Sequence, residues 1–415
     1  MNINLKGNAV VGQSGGPTTA INATLAGVLR GALANENINK IYGMRNGIEG
    51  FLDRRLIDLG EVLGTSQKIY DLERTPAAAL GSCRMKLPSA ESNKAEDVAV
   101  YQKIFEIFAE YDIRYFFYIG GNDSMDTVSK LTKISEKMGY EIRIIGVPKT
   151  VDNDLVATDH TPGYGSAAKF VSTTIQEIIR DCAVYTTRAV TIVEIMGRDA
   201  GWLTAASAVG SIVNGQAPDL VYLPERAFDM EEFYASIEKA FLKHPNIVVA
   251  ISEGIRFADG RYICESEQGG ATDVFGHKAL SGAGKTLELA VKAKFGCKVR
   301  SIELNLPQRC AAHILSKTDI CESVMIGKEA VRVAAEEGVS GEMMIFERAA
   351  REPYFCSVGH KKVSEIANMV KGVPDEYINA EGNFVTRECC EYILPLIEGE
   401  DGPSYYKGIP NYIIL

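Results

Sequence analysis

Three stretches of this sequence set residues suited to phosphate handling at short spacing. The first is Gly12-Gln-Ser-Gly-Gly-Pro-Thr-Thr-Ala, whose glycines Gly15 and Gly16 leave backbone amides open to an anion. A helix opening here and running to about Ala34 would add unpaired N–H groups and the positive end of its dipole. The second is Gly120-Gly121-Asn122-Asp123-Ser124-Met125, with the Ser124 hydroxyl near another expected helix start. The third is Pro148-Lys149-Thr150-Val151-Asp152-Asn153-Asp154, a lysine followed by two carboxylates two residues apart. In extended backbone, residues i and i+2 share a side, so Asp152 and Asp154 would face one ligand. Each stretch alone reads at least as well as a tight turn or a solvated loop. Two glycine-rich loops and an acidic loop with a lysine together point to a site for phosphate and magnesium.

Such loops must be held at strand ends. Short, almost continuously apolar runs occur at 8–12, 41–44, 113–120, 142–148, 189–197, 220–224, 246–252 and 298–305. They suit parallel strands buried on both faces. Helical patterns lie between them; Val98, Tyr101, Phe105 and Phe108 form one stripe at 3-4-3 spacing. The alternation predicts an α/β fold with two doubly wound, mostly parallel-sheet domains. Each of the three loops follows a strand, and loops at the carboxyl ends of neighbouring strands converge on one crevice. A turn-rich stretch at 158–164 marks a crossing between domains, giving an expected division into residues 1–160, 161–305 and 306–415. From about Ala350 the chain is richer in proline, glycine and charge, and reads as a peripheral C-terminal extension.

Composition sets the outer bounds. The 415 residues are 46% apolar, ample for a large core. A formal net charge of −10 argues against a broad nucleic-acid surface and leaves room for a local cationic pocket. Nine scattered cysteines without a C-x-x-C pair read as reduced thiols of a cytosolic protein. The N-terminus lacks the apolar core of a signal peptide, and no run is long enough to cross a membrane. The five histidines are too dispersed to suggest a metal cluster. Gly282-Ala-Gly-Lys-Thr286 looks like the end of a P-loop, but Ala279 stands where its first glycine belongs and no strand precedes it. It reads as a loop and helix start.

From about Val10 to Thr318 the chain resembles the phosphofructokinase family. The resemblance is carried by GGPTTAINA (15–23), LGSCR (80–84), GGNDS (120–124), PKTVDND (148–154), MGRDAGWL (196–203), PE (224–225), SEG (252–254) and ELNLPQR (303–309). It implies an active site in a cleft between two domains, the first binding the phosphoryl donor and the second a sugar phosphate. It implies Asp152 as the base toward the sugar 1-hydroxyl, with Asp154 positioning it or joining a magnesium shell. Thr150 would donate to sugar or phosphate, and Arg84 and Arg198 would stabilise the transferring group. Gly15, Gly16, Gly121, Asp123, Ser124 and Lys149 would hold the donor, and Asn122 and Asp123 the magnesium. Met196, Gly197, Glu253, Arg300 and Arg309 would form the sugar-phosphate pocket. The arginine that neighbouring subunits donate falls at Ala189 by the family spacing, with Arg188 one residue away. Donated arginines imply a homodimer or homotetramer, with no nucleic-acid or membrane partner.

The donor follows from departures within the motifs. ATP-using members resemble G-G-D-G-[ST] in the second loop; here the third position is Asn122 and the fourth Asp123. A carboxylate at 123 would crowd and repel an α-phosphate, and Lys149 would fill the vacated space. Both features resemble the pyrophosphate-dependent branch. A histidine common three residues before the last arginine is Leu306 here. An insertion near 256–296 and the C-terminal extension distinguish this chain from the short bacterial form. The alternatives are an ATP-dependent 6-phosphofructokinase, a pyrophosphate enzyme preferring sedoheptulose 7-phosphate, and a noncatalytic subunit. The last would be expected to lack the base that Asp152 supplies.

Overall fold

The computed structural model describes residues 5–266, 282–366 and 369–415, so 267–281 of the insertion lie outside the described residues. Every apolar run named above contains a strand. β1 (Gly7–Gln13), β2 (Ile38–Met44), β3 (Leu56–Asp58), β4 (Ile113–Gly120) and β5 (Arg143–Pro148) share one sheet. β6 (Ala189–Ile195), β7 (Leu220–Tyr222), β8 (Asn246–Ser252) and β9 (Lys298–Glu303) form a second, all-parallel sheet in the order β7-β8-β6-β9. A short β10 (Leu315–Ser316) pairs with Glu400–Asp401. β11 (Glu342–Ala350) and β12 (Phe355–Lys362) then return to the first sheet, completing the order β12-β11-β5-β4-β1-β2-β3. Five of its strands run parallel, and β3 and β12 are antiparallel edges. Burial of β4 on both faces explains why its sequence is continuously apolar rather than alternating.

Two expectations need correction. The chain beyond Ala350 is not peripheral, because β12 closes one edge of the first sheet and residues 369–373 reach the cleft described below. The helix Ala95–Glu110 buries Tyr101, Phe105 and Phe108 but leaves Val98 exposed, since its first turn extends past the packed surface.

The parallel order places the loops. Gln13 is level with Ile119, and Gly120 with Pro148, so the loops after β1, β4 and β5 emerge side by side. In the second sheet Ile195 is level with Ser252 and Glu194 with Glu303, which brings residues 196–198, 253 and 305–309 to one edge. The returning helix Lys317–Glu336 clamps this frame. It crosses the helix Ile21–Leu33 at Gly27 and Gly327, where an added Cβ would stand 2.2 Å from Val324 O and 2.3 Å from Thr24 O. Its Asp319 also accepts from the amides of Gly163 and Ser166 at 2.8 and 2.9 Å, satisfying the start of the helix Tyr164–Cys182. Among the described residues, none of the nine cysteines is in a disulfide. Among the described residues, no helix is long and apolar enough to cross a membrane.

Candidate active site

The loop edges of the two sheets line one cavity of about 490 Å³. From the first loop come Ser14, Gly15, Gly16 and Pro17. Gly15 has φ +78°, a left-handed conformation that glycine adopts freely. A Cβ on Gly15 would stand 3.4 Å from Lys149 Nζ, and one on Gly16 3.4 Å from Arg309 Nη1. The glycine pair thus lets two cations approach the backbone. The helix begins only at Ile21, so its first turn does not line the cavity and adds no dipole at the glycine pair. Residues 17–20 intervene, and they carry the chain away before the helix forms.

At the second loop a helix does start on the cavity. Gly121 is the N-cap of the helix Asn122–Met138, and Gly121, Asn122, Asp123 and Ser124 all line the space. The free amides and dipole end of this helix suit an anion. Gly120 cannot be larger, because a Cβ would lie 1.9 Å from Ser124 Oγ. The Asp123 carboxylate meets Lys86 Nζ at 3.0 Å, and Arg84 lines the wall beside Lys86.

The third loop contributes Lys149, Thr150, Val151, Asp152 and Asp154. Its backbone is not extended as expected; Asn153 turns it through φ +54°. That turn still leaves both carboxylates lining the cavity, and Asp152 N donates to Thr150 Oγ1 at 3.1 Å. Lys149 is buried, with Nζ donating to Gly16 O at 2.6 Å. Burial pushes its ammonium down to about 8, against the pull of Asp154 and Asp152. Burial, then the charges of Asp154 and Glu253, push the Asp152 carboxyl up to about 7, against Lys149 and Arg198. A carboxyl raised and an ammonium lowered by burial in one cavity mark it as a candidate functional cluster.

The opposite wall carries Met196, Arg198, Asp199, Glu253 and Arg309. Gly197 shapes this wall without lining it. Its φ is +134°, a Cβ there would lie 2.4 Å from Ala200 O, and its amide points to Glu253 Oε1 at 3.5 Å. Met196 N donates to Gln308 Oε1 at 3.2 Å, tying the β6 loop to the ELNLPQR segment. Burial pushes Glu253 up to about 7. Arg256 donates to Arg198 O at 3.2 Å and to Asp199 Oδ1 at 3.0 Å, which fixes the Arg198 backbone. Arg198 Nε is buried with no hydrogen-bond partner among the described residues.

Arg300, expected here, is not brought to the cavity, and Arg188, expected to serve a neighbouring subunit, also lies outside it. Arg300 lies on β9 and lines separate depressions with Asp181, Cys182 and Thr191. Arg188 packs over the Phe241 ring at 5.0 Å, just before β6. Both sit away from the carboxyl edge of the second sheet because β6 and β9 run parallel and enter from the far side. Leu306 is 53% exposed and lines no part of the cavity. Lys86 and Val370 do line it, unforeseen. Lys86 was signalled only by its place two residues after Arg84, and Val370 by nothing local.

The cavity is lined by glycine-rich loops, and both of its walls carry carboxylates and arginines. Such a site suits an α/β phosphotransferase. The family model for phosphofructokinase matches residues 8–334, and this chain belongs to that family. It is 40% identical over 412 residues to the pyrophosphate–fructose 6-phosphate 1-phosphotransferase of Methylococcus capsulatus, covering 98% of this chain and 96% of that one. The enzyme of the same name from Halomonas elongata is 40% identical, over 97% of this chain and 95% of its own. The crystal structure of pyrophosphate-dependent phosphofructokinase from Nitrosospira multiformis superposes with a TM-score of 0.88 at 37% identity, covering 98% and 96% of the two chains.

Proposed function

We propose that this chain transfers a phosphoryl group reversibly from pyrophosphate to the 1-hydroxyl of fructose 6-phosphate, giving fructose 1,6-bisphosphate and phosphate. The names of the full-length relatives support this reading. The observation that carries the donor is Asp123, which lines the cavity in the first turn of the donor-side helix and pairs with Lys86. A carboxylate there repels the further phosphates and nucleoside of ATP. The smaller donor lies between the glycine loops and Lys149.

Asp152 accepts the proton of the 1-hydroxyl as that oxygen bonds to phosphorus and the bond to the leaving phosphate breaks. Base assistance of this kind is worth about 10²–10⁴-fold. Asp154 and Thr150 orient the base and the acceptor. Arg84 and Arg198 hold the charge on the transferring group, and the spare Nε–H of Arg198 suits that role. Met196, Glu253 and Arg309 receive the sugar phosphate, and Gly197 sets the turn that presents them. Gly15, Gly16, Gly121 and Ser124 cradle the donor. Arg188, and with it Arg300, which lies outside its own chain's cavity, complete the site of a second copy in a homodimer or homotetramer.

Magnesium fits the donor side by its chemistry. Asn122 Oδ1 is buried without a hydrogen-bond partner among the described residues, and the Asp123 carboxylate is adjacent. These oxygens, with Asp154 of the neighbouring loop, suit a hard cation that takes one or two carboxylates and leaves its other positions to water and phosphate. When bound, magnesium neutralises charge on the phosphate oxygens. Residues 1–160 are read as the donor-binding domain, 161–305 as the sugar-phosphate domain and 306–415 as the return segment with its extension. A cytosolic place in glycolysis accords with this activity.

The test is a donor comparison. Wild type should use pyrophosphate and not ATP, and Asp123→Gly should lose pyrophosphate efficiency and gain ATP turnover. Efficient use of ATP by wild type with none of pyrophosphate rejects the donor assignment.

A further inference from the structure

The base loop presents both carboxylates to the cavity from a backbone that turns at Asn153. A left-handed residue other than glycine is unfavourable, least so for asparagine, and needs support from outside the loop. That support comes from chain more than 200 positions later. Asn153 Nδ2 donates to Tyr392 Oη at 3.1 Å, and Lys371 Nζ reaches Asn153 Oδ1 at 3.4 Å. The Lys371 amide donates to Asp154 O at 2.8 Å. Lys371 Nζ also donates to Thr158 O at 3.1 Å and Asp159 O at 2.7 Å. Tyr392 Oη donates to the same Asp159 carbonyl at 2.6 Å.

The stretch around Lys371 also touches both walls. On the donor side, Asn122 Nδ2 donates to Met369 O at 3.0 Å. On the acceptor side, Trp202 Nε1 donates to Lys371 O at 3.1 Å, and Val373 N to Glu225 Oε1 at 2.7 Å. Glu225 Oε1 in turn accepts from Gly201 N at 2.8 Å, within the MGRDAGWL segment. Val370 lines the cavity between these anchors, whereas Lys371 does not line it. The Lys371 ammonium is enclosed by three oxygens and lies 5.4 Å over the Trp202 ring.

We infer that residues 369–373 are a strap joining the base loop to both walls, and that Lys371 is a positioning residue for Asp152 and Asp154. The inference rests on the reading of Asp152 as the base. Charge-assisted bonds to carbonyl oxygens are strong and directional, so a single ammonium can hold the loop's geometry. Because Lys371 does not line the cavity, its loss should change the alignment of the base and not the affinity for substrates.

Lys371→Met keeps the aliphatic length and removes the ammonium. Its kcat should fall at least about tenfold, since a displacement of about 1 Å at a reacting group costs on the order of 10²-fold. KM for fructose 6-phosphate and for the donor should stay within about threefold, as expected when ground-state binding is kept. Tyr392→Phe, which removes the other oxygen that pins Asn153, should show the same split with a smaller loss. A kcat within about twofold of wild type in both folded variants overturns the inference. A raised KM at unchanged kcat also overturns it, by making Lys371 a binding group. If Lys371→Met does not fold, Tyr392→Phe decides alone. Asp152→Asn is measured alongside; if it keeps wild-type kcat, the base assignment fails separately. Every comparison is made with whichever donor wild type uses, so failure of the pyrophosphate assignment is read independently.

Discussion

At the scale of single residues, Asp152 joins structure to chemistry most directly. Burial, Asp154 and Glu253 together push its carboxyl up to about 7. A base must be ionised to take the proton, so sugar phosphorylation should rise as pH climbs through about 7. Asp154→Asn removes a like charge beside it and should move that limb to lower pH; kcat/KM profiles of the two proteins check this. Stability carries the opposite sign. The folded pKa lies above the ordinary 3.8, so this group's contribution is full below that value and lost as pH rises through about 7. Asp152→Asn should therefore melt above wild type at about pH 8, with the difference shrinking toward pH 4, while its kcat falls about 10²–10⁴-fold. Asp152 and Asp154 were legible once their spacing was joined to the two glycine-rich loops and to the family motif PKTVDND, which implied the base. Their facing one space was expected, but from an extended backbone; the left-handed turn at Asn153 was not legible, since it leaves no mark in residue type beyond the asparagine itself.

At the scale of elements, the site depends on how closely two loops can pass. Gly254 follows β8 and lies against the loop after β6, where a Cβ would stand 1.8 Å from Arg198 O. Backbone cannot yield as a flexible side chain would. Gly254→Ala should therefore displace Arg198 and lower kcat/KM by at least about tenfold. Gly260→Ala is the control. It meets nothing within 4 Å and bears only the cost of a left-handed backbone, so its kcat/KM should match wild type. Strands buried on both faces, such as β4 and β8, were read from the sequence at their true bounds because continuous apolarity is a local signal. β11 and β12 were missed. The run Met343–Phe346 is no shorter than the run 41–44 that reads as a strand, so its omission has no local reason, whereas β12 is half polar because it is an edge strand. Pairing with β5, some two hundred positions earlier in the chain, specifies them, and no local pattern records it.

At the scale of the whole molecule, the chain closes on itself. Return segments complete the first sheet, clamp its first helix and strap the cavity. The cavity lacks Arg300, which the motifs led us to expect in it, and Arg188, expected to reach a neighbouring subunit, lies outside it too. Arg300 sits on β9, the edge strand of the second sheet, and Arg188 precedes β6 beside it. If these arginines serve a second copy, Asp152 and Arg300 act in different sites of one assembly. Asp152→Asn and Arg300→Ala should each be nearly inactive as homo-oligomers. In a mixed pair, one site carries both defects and the other carries neither. Random reassembly of equal amounts puts half the molecules in mixed pairs with one intact site each, so about a quarter of wild-type activity should return. Mixing the two variants after joint denaturation and refolding measures that recovery. Activity no higher than the separate variants would mean that each site is complete within one chain, and that Arg300 acts where it lies.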